Sequence, residues 1–328
     1  MRAVLITQPG PPEVLQVSDV APPVPGPNQI RVRVHATSVN RADLLQRRGL
    51  YPAPEGAPQD IPGLEYAGTV ERVGSHASRW KPGERVMGIT GGGGYAEYVV
   101  VHEAEAMAIP DSLSFAQAAA VPEVFLTAYD ALTARLHVQA GEWVLIHAVA
   151  SGVGTAAAQL ARAMGCRVIG TARSAWKLER IGALLDVAVA VPSEDFVAVA
   201  RAATNGKGVD AIVDLVGGDY LPRNVQALAT LGRIAVIGLV AGRSAPLDMG
   251  MLLSKRATIV GTALRSRSHE DKSALASAFS REVVPLLAAG TVVPMIDRVM
   301  ALADVAEAHR VSEANETVGK IVLMVDSV

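Results

Sequence analysis

Between His147 and Ala161 the chain reads HAVASGVGTAAAQLA: an apolar strand ending, a turn with two glycines, then an alanine-rich helix. Such a junction can hold a nucleotide phosphate, because N–H groups are free at a helix N-terminus and glycine keeps side chains out of the way. Gly152 and Gly154 supply the close approach, and Ala150, Ser151, Gly152, Val153 and Gly154 form the candidate cradle. Ala148, Ser151 and Gly154 depart from the G-x-G-x-x-G fingerprint, so the argument rests on context: a strand before, a helix after and a second strand at once. The Ser151 hydroxyl is expected to bond either the ligand or its own loop. A tight strand-to-helix turn built of small residues is the alternative.

The second strand decides the cofactor. A site for NAD places Asp or Glu at its end, on the ribose 2′-hydroxyl; GTARSAWK offers no acid there. Arg173, Ser174 and Lys177 suit a 2′-phosphate instead, where a charge-assisted bond contributes about 1.5–3 kcal/mol. The residues favour NADPH; a solvated basic helix start is the other reading. Gly217, Gly238, Leu239, Leu264 and Arg265 lie just past later strand ends, where doubly wound sheets bind ligands.

These residues need a parallel sheet behind them. From Glu142 strands and helices alternate: EWVLIHAV, a helix from Gly154 to Met164, CRVIGTA, a helix from Ala175 to Ile181, DVAVAV, a helix from Glu194 to Ala203, VDAIVDLV, a helix from Asp219 to Ala229, RIAVIGLV and ATIVGTAL. Nearly continuous apolar strands between helices predict an α/β, doubly wound parallel sheet covered on both faces. The first ~120 residues differ, with short β-type runs between Pro- and Gly-rich turns, and predict a mostly β domain. Ser114 and Gln117 form a capping box that opens a bridging helix, with Pro122 as a kink or break. The last strand, from Lys320, resembles the runs of the first domain, so the chain is expected to return and complete it. The predicted division is 1–124 with 266–328, and 125–265.

The whole chain has 328 residues, half of them hydrophobic and 19% charged, with a net charge of −2. That is the composition of a folded two-domain protein without a basic footprint for nucleic acid. Trp143 to Ala161 lacks Asp, Glu, Lys and Arg, but its polar interruptions and its change from strand to helix pattern argue against a membrane span. A single cysteine, Cys166, and the absence of an apolar leader in MRAVLITQPG point to the cytoplasm. The seven histidines show no metal-ligand spacing.

A β domain, a doubly wound domain and a returning C-terminal segment together resemble the medium-chain dehydrogenase/reductase family, end to end. Zinc members carry a Cys after the third β run and a His in a GHE turn. Here SVNRAD has Asn40 and PGLEYAG has Leu64, so no metal is expected. The chain is similar to the zinc-less NADPH quinone oxidoreductases related to zeta-crystallin. NRADLLQRRGLYPAP, VQAGEWVLIHAVASGVGTAAAQL and LRSRS are similar, more narrowly, to the stress-inducible subfamily. Relatives often have a Tyr beside the 2′-phosphate where Val191 stands here, a loss for which Arg173 is placed to compensate.

The resemblance implies a Rossmann NADPH domain, a GroES-like catalytic domain and a homodimer joined through ATIVGTAL. Asn40 and Asp43 are then expected beside the nicotinamide, with Tyr51 at the entrance. Asn40 is a donor to the acceptor oxygen or an Asx-turn residue. Asp43 is catalytic or a structural partner of Arg41, Arg47 or Arg265. Tyr51 stacks on a quinone, gives it a proton, or anchors its loop. Thr127 is placed to reach the diphosphate or ribose, and Lys320 either reaches the cofactor or opens a surface strand. Without a Lewis acid, an easily reduced acceptor such as a quinone is the natural substrate. Reduction of an activated double bond, as in alkenal or enone reductases, and NADPH binding with little turnover are the alternatives.

Overall fold

The first apolar run forms β1 (Arg2–Ile6), paired antiparallel with β2 (Leu15–Asp19). β3 (Gln29–Ser38) is the long central strand of the first unit, and α1 (Arg41–Arg47) follows it directly. β4 (Glu65–Val73), β5 (Arg85–Ile89), β6 (Tyr98–His102) and β7 (Met107–Ala108) then build outward. The computed structural model describes residues 1–325 in two compact units, Met1–Leu126 with the chain from Leu264 onward, and Thr127–Ala263. The last three positions of the expected 266–328 segment lie outside the described residues.

The expected bridging helix is broken. The Ser114 hydroxyl accepts from the Gln117 N–H and caps α2 (Phe115–Ala119). Pro122 then opens α3 (Pro122–Tyr129), where its missing N–H costs nothing.

The second unit runs β8 (Trp143–Ile146), α4 (Gly152–Ala163), β9 (Arg167–Ala172), α5 (Ala175–Arg180), β10 (Val187–Ala190), α6 (Phe196–Ala203), β11 (Val209–Asp214), α7 (Tyr220–Ala227), β12 (Leu228–Val236), α8 (Met249–Lys255) and β13 (Thr258–Gly261). Its six strands are all parallel in the order β10-β9-β8-β11-β12-β13, the doubly wound order that reverses direction beside β8. Leu145, Ile169, Val189, Ile212 and Ile234, one from each of five strands, pack with Phe196 and Val225 in its core. α8 has no counterpart among the expected elements: Asp248 caps it through the Met251 N–H, but its Met249 and Leu253 side chains are exposed and leave no amphipathic signal.

The chain closes with α9 (His269–Glu282), α10 (Val284–Ala288), β14 (Ile296–Ala301), α11 (Val305–Ala314) and β15 (Lys320–Met324). β15 lies antiparallel to β3 and parallel to β14, so the C-terminal segment completes the first unit's seven-stranded sheet. Val32 and Val34 of β3, Leu44 of α1, and Ile321 and Leu323 of β15 share one buried cluster.

Candidate active site

In the second unit, the chain leaves β8 at His147, turns through Ala148 at φ +47°, and enters α4 at Gly152. The Ser151 hydroxyl accepts a hydrogen bond from the Gly154 N–H at 3.1 Å, so the serine bonds its own loop as N-cap. Ser151 itself is exposed. The Gly152 and Val153 N–H groups have no acceptor among the described residues. A Cβ on Gly154 would lie 2.5 Å from the Ala148 carbonyl oxygen, so only glycine lets α4 approach the strand end this closely. The loop thus offers free N–H groups at the positive end of a twelve-residue helix.

Beneath this loop runs a buried polar chain. The Thr171 hydroxyl is 2.9 Å from His147 Nδ1, and His147 Nε2 is 2.7 Å from Asn224 Oδ1. The Asn224 amide donates to Asp214 Oδ2, and Asp214 Oδ1 accepts from the Val216 and Gly217 N–H groups. With the Asn224 nitrogen committed to Asp214, His147 donates through Nε2 and accepts at Nδ1. Burial holds its imidazole pKa down, in keeping with a neutral ring. The chain ties the ends of β8, β9 and β11 to α7 beside the direction reversal, and no local sequence motif announces it.

Gly217 adopts φ +68° after β11, where a Cβ would crowd the Gly238 carbonyl oxygen at 3.0 Å. Gly238 follows β12 against the Leu215 carbonyl, and Leu239 is about half exposed. Thr127 is buried on α3, and Ala150 is buried in the loop. Arg173 is exposed after β9, with Ser174 as N-cap of α5 and Lys177 on its first turns, 5.4 Å from the Trp176 ring centre. The Arg173 charge also acts on the half-buried Tyr220 phenol of α7, a neighbour that the sequence reading missed.

The first unit holds a different cluster. Glu65, fully buried at the start of β4, is its centre. Its Oε1 accepts from Asn40 Nδ2 at 2.7 Å, from Lys320 Nζ at 2.9 Å and from the Ser38 hydroxyl; its Oε2 accepts from the Glu123 N–H at 2.8 Å. Lys320 also donates to the Val39 carbonyl at 3.1 Å and to Asn40 Oδ1 at 2.5 Å. Three bonds to protein oxygens are thus made inside this unit, and Lys320 is buried rather than a surface lysine. The Asn40 amide nitrogen is likewise committed, to Glu65 and at 3.5 Å to the Ser38 carbonyl, rather than left for a substrate oxygen.

Asp43 is fully buried. Its carboxylate accepts from the Asn40 N–H at 2.8 Å, the Gly63 N–H at 3.1 Å and the Tyr95 hydroxyl at 3.1 Å. Burial pushes it up to about 6 against these bonds and the Lys320 charge. Arg265, expected at the cofactor, donates instead to the Gly91 and Tyr51 carbonyls and to Gln46 Oε1, and its guanidinium carbon sits 5.0 Å from the Tyr51 ring centre. Leu264 beside it is buried. Tyr51 is half-buried, its phenol raised by burial, and its hydroxyl has no hydrogen bond among the described residues. Sequence reading missed Glu65 and Glu123; the acid in PGLE and the acid after Pro122 were the available signals.

Zinc does not fit this cluster. Leu64 is buried and apolar, the Asn40 amide is engaged on both sides, and no group of three or more His, Cys, Asp or Glu among the described residues is placed to hold a metal.

Comparisons with known proteins agree with this architecture. Residues 26–111 match the alcohol dehydrogenase GroES-like domain, and residues 152–281 match the family described as zinc-binding dehydrogenase. A quinone oxidoreductase of Pseudomonas aeruginosa is 35% identical over 96% of this chain and 97% of its own length. A quinone oxidoreductase of Homo sapiens is 33% identical over 99% and 98%. The crystal structure of Escherichia coli quinone oxidoreductase complexed with NADPH superposes with a TM-score of 0.88 at 30% identity, covering 99% of this chain and 100% of that one. With kinship running the length of the chain and both units accounted for, the protein belongs to the quinone oxidoreductases of the medium-chain dehydrogenase/reductase family.

Proposed function

We propose that this protein is an NADPH-dependent quinone oxidoreductase that transfers a hydride without zinc. The observation that carries the cofactor choice is the end of β9, which presents Arg173 and Ser174 instead of a carboxylate. Full-length kinship to quinone oxidoreductases, one of them solved with NADPH, supports both cofactor and substrate class. NADPH supplies the hydride when bound. The Gly152 and Val153 N–H groups take its diphosphate at the α4 N-terminus, with Ala150, Ser151 and Gly154 shaping the cradle. Arg173, Ser174 and Lys177 take the 2′-phosphate, which compensates for an aliphatic Val191. Gly217, Gly238 and Leu239 line the remaining strand ends, and Thr127 on α3 reaches the diphosphate or ribose.

In the first unit, Tyr51 meets the acceptor ring by stacking, held by Arg265 behind it and with Leu264 packed alongside. Asn40 and Asp43 are positioning residues: with Lys320 and Glu65 they fix the β3–α1 turn in the place where zinc relatives carry a metal ligand. The assignment of catalytic work to 1–124 with 266–328, and of cofactor binding to 125–265, follows from these roles. We place the enzyme in the cytoplasm, supported by its single, buried cysteine and by the lack of any helix long and apolar enough to cross a membrane among the described residues. A homodimer through β13 is supported by that strand's position at the open edge of the six-stranded sheet.

The test is NADPH oxidation, followed at about 340 nm where reduced nicotinamide absorbs, with 1,2-naphthoquinone as acceptor and NADH in parallel. Turnover with a clear NADPH preference is expected. NADPH binding without turnover on any quinone would overturn the reading.

A further inference from the structure

The second-unit segments assigned to NADPH follow different strands, β8, β9, β11 and β12, yet one buried cluster of side chains reaches all of them. Asp214, the last residue of β11, is its hub. The Asp214 carboxylate accepts from the Val216 N–H at 2.8 Å, the Gly217 N–H at 2.9 Å and the Asn224 amide at 3.0 Å. Its backbone carbonyl accepts from the Ile237 and Gly238 N–H groups, at 2.8 and 3.2 Å. The turns after β11 and β12 are thus both tied to one residue. From Asn224 the chain continues to His147, where the glycine loop begins, and on to Thr171 of β9, which precedes Arg173 by two positions. The Thr171 carbonyl in turn accepts from the Val149 N–H of the loop at 2.9 Å. Phe196 and Tyr220 each stand T-shaped to the His147 ring at 4.8 Å between centroids and hold it in place.

We propose that Asp214, Asn224 and His147 are positioning residues for the cofactor: their hydrogen-bond chain sets the glycine loop and the turns after β9, β11 and β12 in the arrangement that NADPH binds. This rests on the NADPH reading above. All three side chains are fully buried, so they act through the backbone they hold.

The chain runs in one direction. Backbone N–H groups only donate, so Asp214 Oδ1 is an acceptor, and the Asn224 amide turns its nitrogen toward Oδ2. Asn224 Oδ1 then accepts from His147 Nε2, and His147 Nδ1 accepts from the Thr171 hydroxyl. Each link has one donor and one acceptor. Cutting a link strands a buried polar group and frees the backbone that it held, which the cofactor must then order at the expense of its own affinity. The loop and turns serve the parts of the molecule that NADPH and NADH share, so the loss falls on both. Arg173, by contrast, serves the 2′-phosphate alone.

The experiment titrates NADPH and NADH by fluorescence into wild type, Asp214→Asn, Asn224→Asp, the double exchange that combines them, and Thr171→Val, with the melting temperature of each recorded. Asp214→Asn sets two amides against each other, and Asn224→Asp sets two carboxylates. In the double exchange the amide at position 214 donates to the carboxylate at 224, which also accepts from His147, so a donor again faces an acceptor at each link. Kd should rise about tenfold in each single exchange, by the same factor for both cofactors, and the double exchange should restore most of the affinity. Thr171→Val removes only the last donor and keeps the shape, so it should fold and weaken both cofactors equally by a smaller factor. A role confined to stability would lower the melting temperatures and leave every Kd unchanged, which overturns the proposal. A loss confined to NADPH, or a double exchange that binds no better than the single ones, overturns it too. If the single exchanges do not fold, wild-type affinity in Thr171→Val is the contradicting result. A wild type that binds neither cofactor overturns the proposal together with the NADPH reading beneath it.

Discussion

Lys320 has three ammonium hydrogens and gives all of them to protein oxygens, one of them a carboxylate sealed from water. Removing the cation leaves Glu65 buried without its counter-charge, a change that costs about 3–5 kcal/mol. Lys320→Met is therefore expected to lower stability by that amount in chemical denaturation; a loss below about 1 kcal/mol would show that the pair is not closed in solution. Arg173 acts on affinity instead. Arg173→Ala should raise KM for NADPH about 10- to 100-fold, the equivalent of 1.5–3 kcal/mol, and leave KM for NADH unchanged. An equal rise for both cofactors would remove Arg173 from the 2′-phosphate. At this scale the sequence was legible where a residue's place follows from the strand pattern, as with Arg173, which stands exposed just after β9 as expected. It was not where partners lie far apart in the chain: Lys320 and Glu65 are 255 positions apart, and nothing in VGK shows which oxygens await its side chain.

Elements carry the next set of consequences. α4 starts two residues before the expected Gly154 because Ser151 caps it, satisfying the Gly154 N–H from outside the helix. Ser151→Ala should cost about 1 kcal/mol and weaken NADPH binding modestly, read by denaturation and by titration; unchanged stability would mean water replaces the cap fully. α11 and α1 meet through a buried triad: His309 Nδ1 lies 3.2 Å from Arg47 Nη1, and its Nε2 lies 3.3 Å from the Tyr95 hydroxyl. Burial and the Arg47 charge push His309 down to about 3 from its ordinary 6.5. Between those pH values the unfolded chain binds the proton and the folded one does not, so stability falls as pH drops from 6.5 toward 3. Asp43, raised to about 6, works against this fall, since its folded form binds the proton more tightly than an unfolded aspartate at 3.8. His309→Gln, which keeps an acceptor for Arg47, should flatten the loss of melting temperature between pH 6.5 and 4; an unchanged slope would place the acid sensitivity elsewhere. Strand and helix alternation made most elements of the second unit visible in advance. α8 and α11 were not, because α8 exposes its apolar residues and α11 reads within a run of strand-like and polar residues.

For the whole molecule, the doubly wound strand order and the return of β15 to β3 follow from patterns present in the chain: near-continuous apolar strands in one half, alternating strands and turns in the other. The open edge at β13 predicts association. Sedimentation should give twice the chain mass, and a monomer at micromolar concentration would contradict the β13 dimer. The central claim is that hydride from NADPH ends on a quinone. The measurement that tests it most directly is the stoichiometry of an anaerobic reaction with 1,2-naphthoquinone, counting NADPH oxidised against hydroquinone formed. One hydroquinone per NADPH, with NADH a poor donor, is the predicted result. NADPH bound but not consumed, or consumed with an enone and not with the quinone, would contradict the account.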